Sequence, residues 1–205
     1  MQDFGMKKTD GLVGRAELKL REAAEACDYD FRGKTVLDIG SSTGGFTEYA
    51  LRRGAKKVIA IEKGTRQMKA PLRFDPRVEL REKTDFLEVE EKLAVETVLA
   101  DVSFVSLRQI LAHAQRILPR EVDYLVMLKP QFEARPEQLV KGVVKNERMR
   151  REIIKDFENW LKRKGFVVIK KRDNETVGKV GKNQERFYFL KLKSKPTTRG
   201  GFVAR

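Results

Sequence analysis

The 205-residue sequence has one cysteine, Cys27, and one histidine, His113. A single thiol excludes an internal disulfide and any zinc site built from several cysteines, and no metal site is expected. Cys27 and His113 belong to the patterns of different helices, so a Cys–His or Ser–His nucleophilic pair is set aside. His113 falls in the amphipathic stretch Ser106–Leu118, where a packing or surface role is expected. Long apolar runs are also missing: nothing approaches the roughly 18 residues that cross a bilayer. The opening MQDFGMKKTDG lacks the apolar segment of a signal peptide, which makes a cytoplasmic protein without membrane contact the simplest expectation. Acid is in short supply, with 44 Lys and Arg against 30 Asp and Glu and a net charge of +14. Part of that charge fits an ion-paired surface. The excess points to a polyanionic partner, of which nucleic acid is the commonest.

What the chain does have is concentrated in VLDIGSSTGG, Val36 to Gly45. An apolar run ends in Asp38, turns at Gly40, passes through Ser41, Ser42 and Thr43, and closes on Gly44, Gly45 and Phe46. This is the pattern of a buried strand, a tight turn and a helix start. Glycine lets the backbone approach a ligand, and the helix start offers unpaired N–H groups. The spacing departs from the G-x-G-x-x-G of dinucleotide sites. That departure, with Asp38 just ahead, points to an S-adenosylmethionine loop.

Apolar runs and helical periods alternate along the chain. Strands are predicted at Thr35–Ile39, Lys57–Ile61, Val78–Glu82, Thr97–Asp101, Tyr124–Leu128, Phe166–Lys171 and Arg186–Leu192. Helices are predicted at Arg15–Ala26, Gly45–Arg53, Arg66–Leu72, Ser106–Leu118 and Asn146–Lys164. The expected fold is α/β and Rossmann-like: a mostly parallel seven-stranded sheet covered on both faces, with one of the last two strands antiparallel. Residues 1–194 are expected to form one domain and the basic, glycine-containing stretch 195–205 a disordered tail. Pro130–Lys145 is too long and irregular for a plain connector.

Open α/β sheets bind ligands beyond the carboxyl ends of their strands. Asp38 and Gly40 close the first strand, Glu62 the second, Asp101 the fourth and Lys129 the fifth, while Asp85 lies just past the third. Any one of these taken alone reads more simply as a cap or a solvated charge; together they outline a pocket. Glu62 is spaced to bond both ribose hydroxyls of a nucleoside cofactor, a spacing that fits NAD as well as S-adenosylmethionine. Asp85 with Phe86 suits an adenine amino group beside an apolar wall, or an N-cap for Phe86–Lys92. Lys129, between YLVML and Pro130, should be partly desolvated, which lowers a lysine pKa and makes it a candidate proton acceptor. The bland alternative is a lysine extended to solvent. Asp101 and Lys129 are placed to pair across the reactive end of the cofactor.

The reaction class narrows by elimination. Methylation at C5 of a pyrimidine needs a cysteine at the rim, and Cys27 is elsewhere. Methylation of an exocyclic amine uses an Asp/Asn-Pro-Pro-aromatic turn, but Asp101-Val102-Ser103-Phe104 has neither proline. A ribose hydroxyl, a poor nucleophile, benefits from a base and fixed positive charge, which a lysine-rich rim supplies.

GRAELKL, LDIGSSTGGFTEYALRRGAKKVIAIEKG, DPRV, LADVSFVSL, MLKPQFE and NQERFYFL, spread over nearly the whole chain, resemble the hemolysin A (TlyA-type) RNA methyltransferases, which belong with the FtsJ-like ribose 2′-O-methyltransferases. The resemblance implies a Lys-Asp-Lys-Glu tetrad, which its motifs place on Lys19, Asp101, Lys129 and Glu185. It also implies S-adenosylmethionine bound by Asp38, Gly40 to Phe46, Glu62, Asp85, Phe86 and Asp101. Lys19 would assist burial in holding the Lys129 pKa down, Asp101 would orient Lys129, and Glu185 would position the lysines or the ribose. Two features depart from the family: the chain starts almost at the catalytic domain, without the usual S4 RNA-binding domain, and Asp173–Lys182 has no Ser-Pro loop. Docking is then expected to use a basic surface, a partner, or a missing part of a longer protein.

The expected function is S-adenosylmethionine-dependent methylation of a ribose 2′-hydroxyl in structured RNA, most simply ribosomal RNA or a ribosomal subunit. The alternatives are a non-catalytic RNA-binding or assembly factor that keeps the cofactor fold, a hemolysin-like protein, and a small-molecule methyltransferase. Candidate phosphate contacts are Arg52/Arg53, Lys56/Lys57, Lys141/Lys145, Arg148/Arg150/Arg151 and Lys170/Lys171/Arg172.

Overall fold

Apolar residues at every second position of the central strands face one side of a sheet, and those between them face the other. Both sets are apolar here, so both faces must be covered. In a computed structural model describing residues 14–174 and 183–193, seven strands form the sheet in the order β3-β2-β1-β4-β5-β9-β8. They are β1 Thr35–Ile39, β2 Lys57–Glu62, β3 Val78–Glu82, β4 Thr97–Ala100, β5 Asp123–Leu128, β8 Phe166–Asp173 and β9 Arg186–Leu192. The first five run parallel, and β9 lies antiparallel between β5 and β8. A two-strand ribbon, β6 Leu139–Val140 and β7 Val143–Val144, stands apart from the sheet.

Four helices cover the faces: α1 Arg15–Ala26, α2 Gly45–Arg52, α3 Leu107–Ile117 and α4 Glu147–Arg163. Leu37, Ile59, Val98, Val126 and Tyr188 join one core with α3 and α4. Val36, Val58, Leu99, Leu125 and Phe187 join the other with α1 and α2. Ser106 and Asn146 cap α3 and α4 by accepting from Arg108 N and Met149 N, which satisfies donors a helix start leaves unpaired. His113 packs as expected: it is buried, with Nε2 2.9 Å from the Val89 carbonyl and its ring edge-on to Phe86. Cys27 is a half-buried free thiol at the end of α1.

Three local expectations are corrected. Arg66–Leu72 is not a helix; the one helical turn there is a 3-10 turn at Leu72–Phe74. Met68 and Leu72 have helical spacing, but they instead lie over Gly44, where a Cβ would collide with Leu72 and crowd Met68. Phe86–Lys92 is a single 3-10 turn, Phe86–Glu88, followed by extended chain. Asp101 follows β4 rather than ending it. The proposed tail 195–205 and most of the departing segment, 175–182, lie outside the described residues.

Candidate active site

The sheet reverses its winding between β1 and β4, since β2 and β3 extend one way and β5 the other. A crevice opens at such a switch point beyond the strand ends. Here it is a cavity of about 790 Å³, walled by the first glycine loop and the ends of β2, β4 and β5, within the size range of small-molecule sites.

Asp38, Gly40, Ser41, Ser42, Thr43, Phe46, Glu62, Asp85, Phe86, Asp101 and Lys129 all line it, as the strand-end argument expects. Gly44 and Gly45 do not. Gly44 caps α2 at φ +93°, and a Cβ on Gly45 would stand 2.9 Å from Ala16 Cβ. These two glycines admit neighbouring protein rather than ligand. Gly40, at φ +76°, is the glycine whose left-handed backbone turns the chain at the cavity wall.

The wall is already organised. Glu62 accepts from Ser42 N at 2.8 Å, Gly64 N at 2.6 Å and Gln67 Nε2 at 3.1 Å. A carboxylate offers about four acceptor positions, so roughly one remains for a ribose hydroxyl where two were expected. Asp85 caps Leu87 N at 3.0 Å, on a 3-10 turn in place of the expected helix, and it lines the cavity, where the Lys63 ammonium at 2.9 Å holds its pKa down. Asp38 is buried and accepts from Thr47 Oγ1 at 2.6 Å, yet burial pushes its pKa up to about 7. Ser41 Oγ is buried with no hydrogen-bond partner among the described residues, and a buried hydroxyl left unpaired costs free energy until something pairs with it. An oriented acid at β2, an unpaired hydroxyl in the first loop and Phe86 on the wall fit a nucleoside-type cofactor.

The structure brings Lys19, Asp101, Lys129 and Glu185 together; Asp101 and Lys129 line the cavity, whereas Lys19 and Glu185 do not and join it through Asp101. Lys129 Nζ lies 2.9 Å from Asp101 Oδ1 and donates to Ser103 Oγ at 2.8 Å. Lys19 Nζ lies 3.3 Å from Asp101 Oδ2 and 2.7 Å from Glu185 Oε2. The four side chains are 10–15% exposed. Burial acts to lower the Lys19 pKa, but the carboxylates of Asp101 and Glu185 outweigh it and the pKa is raised, so Lys19 is a fixed ammonium. Asp101 engages the two lysines through different oxygens and stands between them. Lys19 reaches this cluster from α1 and Glu185 from the residue before β9, on opposite sides in sequence.

Sequence reasoning missed several participants. Glu133, with a side chain 2% exposed, accepts from Ser106 Oγ at 2.7 Å and Leu107 N at 2.6 Å and pairs with Arg108. It thereby joins the loop after Lys129 to the loop after Asp101. Gln67 and Thr47 orient the acids Glu62 and Asp38. Phe104, 92% exposed at φ +65°, stands on the cavity rim against Phe132. Glu133, Thr47 and Phe104 carried a signal, as parts of LKPQFE, LDIGSSTGGFT and LADVSFVSL; Gln67 carried none. Among the described residues no helix is long and apolar enough to cross a membrane, and no group of three or more His, Cys, Asp and Glu could hold a metal.

Comparison with known proteins agrees with this geometry. The FtsJ-like methyltransferase family model matches residues 12–193. The chain is 36% identical over 160 residues to YqxC of Bacillus subtilis, a candidate rRNA methyltransferase, covering 76% of this chain and 57% of that protein. It is 31% identical over 194 residues to the 23S rRNA (cytidine-2′-O)-methyltransferase TlyA of Campylobacter jejuni, covering 89% of this chain and 76% of that one. The match to the Mycobacterium tuberculosis 16S/23S rRNA (cytidine-2′-O)-methyltransferase TlyA is 39% identical, over 64% of this chain and half of the relative. The chain thus spans little more than half the length of some of these relatives. Among solved structures, a candidate hemolysin from Streptococcus thermophilus superposes with a TM-score of 0.82 at 31% identity, covering 92% of this chain and 70% of that one. With the sheet order, the switch-point cavity and these matches in agreement, the chain belongs to the FtsJ-like methyltransferase family.

Proposed function

We propose that this protein transfers a methyl group from S-adenosylmethionine to a ribose 2′-hydroxyl of ribosomal RNA, which would place it with ribosomes in the cytoplasm. The observation that carries the reading is the Lys19–Asp101–Lys129–Glu185 cluster, which meets a nucleoside-sized cavity through Asp101 and Lys129. The names of the Campylobacter and mycobacterial relatives support the acceptor class.

Asp38, the Gly40–Thr43 turn, Phe46, Glu62, Asp85 and Phe86 would hold the cofactor, which supplies a methyl group on a sulfonium, an activated electrophile. Lys129 Nζ, as the free amine, would take the hydroxyl proton as the bond from the ribose oxygen to the methyl carbon forms and the methyl–sulfur bond breaks, the donor leaving as a neutral thioether. Asp101, 2.9 Å from Lys129 Nζ, aligns that nitrogen. Lys19 remains an ammonium and stabilises the negative charge that develops on the ribose oxygen. Glu185 fixes Lys19 from the far side at 2.7 Å. Most of the acceleration comes from position and fixed charge, since the donor is already activated.

Substitution Lys129→Ala tests the assignment. A positioned general base contributes about 10²–10⁴-fold, so methylation of ribosomal RNA by purified protein should fall by at least about 10²-fold while cofactor affinity is kept. Methylation at the wild-type rate would overturn the role given to Lys129 and favour a cluster that only binds.

A further inference from the structure

The β6–β7 ribbon is too short to sustain itself, because two-strand hairpins of even ordinary length are marginal in water. None of its residues belongs to either core. Its turn is Lys141-Gly142, with φ of +49° and +77°, the two positive values that a tight two-residue hairpin demands. A lysine is seldom found in the left-handed region, so the side chain at this tip is placed there at some cost. Lys141 and Lys145 are exposed, and Val140 is exposed beside them.

Two ties hold the ribbon against the segments that carry the clustered side chains. The Asn183 side chain accepts from Val144 N at 2.9 Å and donates to the Gly142 carbonyl at 3.0 Å. Asn183 lies two residues ahead of Glu185. On the other side, β7 packs against the turn Pro130–Phe132, which follows Lys129 directly. A structureless loop would have joined β5 to α4 equally well. Instead the chain builds a small arm, points a lysine from its tip, and fastens it between the Lys129 and Glu185 segments.

In each of the other basic clusters at least one member is already paired. Arg150 is buried and bonded to Asp173 and the Gln184 carbonyl, which corrects its place among the phosphate contacts. Arg52 pairs with Glu17, Lys57 with Glu79, Arg148 with Glu152 and Lys171 with Glu158.

We propose that the β6–β7 arm grips the phosphate backbone of the substrate RNA beside the target nucleotide, through Lys141 and Lys145, with Asn183 tying the arm to Glu185. This rests on the RNA reading above, deepening it by naming where the backbone docks. The experiment uses the full chain, transcribed 16S and 23S ribosomal RNA, and equilibrium binding over a salt series, followed by methylation at saturating RNA. Removing two phosphate contacts flattens the log–log salt slope by about 1.4–1.8. The double variant Lys141→Ala/Lys145→Ala should show that flattening. It should also bind roughly tenfold more weakly at low salt, with cofactor affinity and the rate at saturating RNA unchanged. Asn183→Ala should mainly lower the rate at saturating RNA, and Asn183→Asp, which keeps the acceptor for Val144 N, should recover part of it. Circular dichroism of each variant, and the single change Lys141→Glu, guard against a folding defect. A double variant with the wild-type affinity and slope overturns the arm. Wild-type protein that binds RNA through Lys141 and Lys145 but methylates none of it leaves the arm standing and overturns the catalytic reading.

Discussion

Asp38 is a carboxyl group sealed inside the fold, and its chemistry can be followed through stability. Its pKa rises from an ordinary 3.8 to about 7, first because burial penalises the charge, then against the stabilising Thr47 hydrogen bond. Below its ordinary value both folded and unfolded chains hold the proton. Between about pH 4 and about pH 7 the folded protein keeps a proton that the unfolded chain has released, so this residue's contribution to stability declines as pH rises through that window. Asp38→Asn carries no charge at any pH and should remove that decline. Melting temperatures of both proteins from about pH 4 to about pH 8 check it: the variant should gain on the wild type as pH rises, and parallel curves would contradict the assignment. The site was legible in the sequence where a polar residue interrupts an apolar strand or directly follows one, as at Asp38, Asp101 and Lys129. Lys19 and Glu185 were visible only through motif resemblance, because a charge on a helix or before a strand has no local mark of burial. Their burial follows from α1 and β9 meeting at the Asp101 loop.

Among the elements, α3 depends on a residue far from it in sequence. Glu133 satisfies the Leu107 N–H and the Ser106 hydroxyl, and its burial raises its pKa against the pull of those bonds and of Arg108. Glu133→Ala should cost about 1–3 kcal/mol, the range for a lost helix cap and a buried donor left unpaired. It should also reduce methylation, because the loops carrying Asp101 and Lys129 lose their common anchor. Glu133→Gln, which keeps an acceptor, should be milder in both. Chemical denaturation and a methylation rate measure the two effects, and an alanine variant as stable and active as wild type would refute the anchor. The strands were legible because apolar runs of strand length leave little else to be; β1 and β9 have the bounds the sequence suggests. Arg66–Leu72 misled because spacing alone cannot say what two apolar side chains cover. Met68 and Leu72 turned out to lie on the glycine loop, and Pro71 withholds a backbone donor from any helix there.

At the scale of the whole molecule, the charge of +14 is the feature that local structure leaves unexplained, since many basic side chains already have acidic partners. If the excess serves RNA, affinity for ribosomal RNA should fall steeply with salt, each phosphate contact adding about 0.7–0.9 to the log–log slope. A filter-binding series reads this directly, and a flat response would favour a small-molecule acceptor. Because the chain covers 57% of the Bacillus relative and half of the mycobacterial one, affinity supplied by additional segments in those proteins can be compared with what this chain achieves alone. The central claim concerns the atom that receives the methyl group. Ribosomal RNA incubated with the protein and isotopically methyl-labelled S-adenosylmethionine, digested to nucleosides and resolved by mass spectrometry, reports that atom. The account predicts label in a 2′-O-methylnucleoside, lost with Lys129→Ala; label on a base, or label that survives that substitution at the wild-type level, would contradict it.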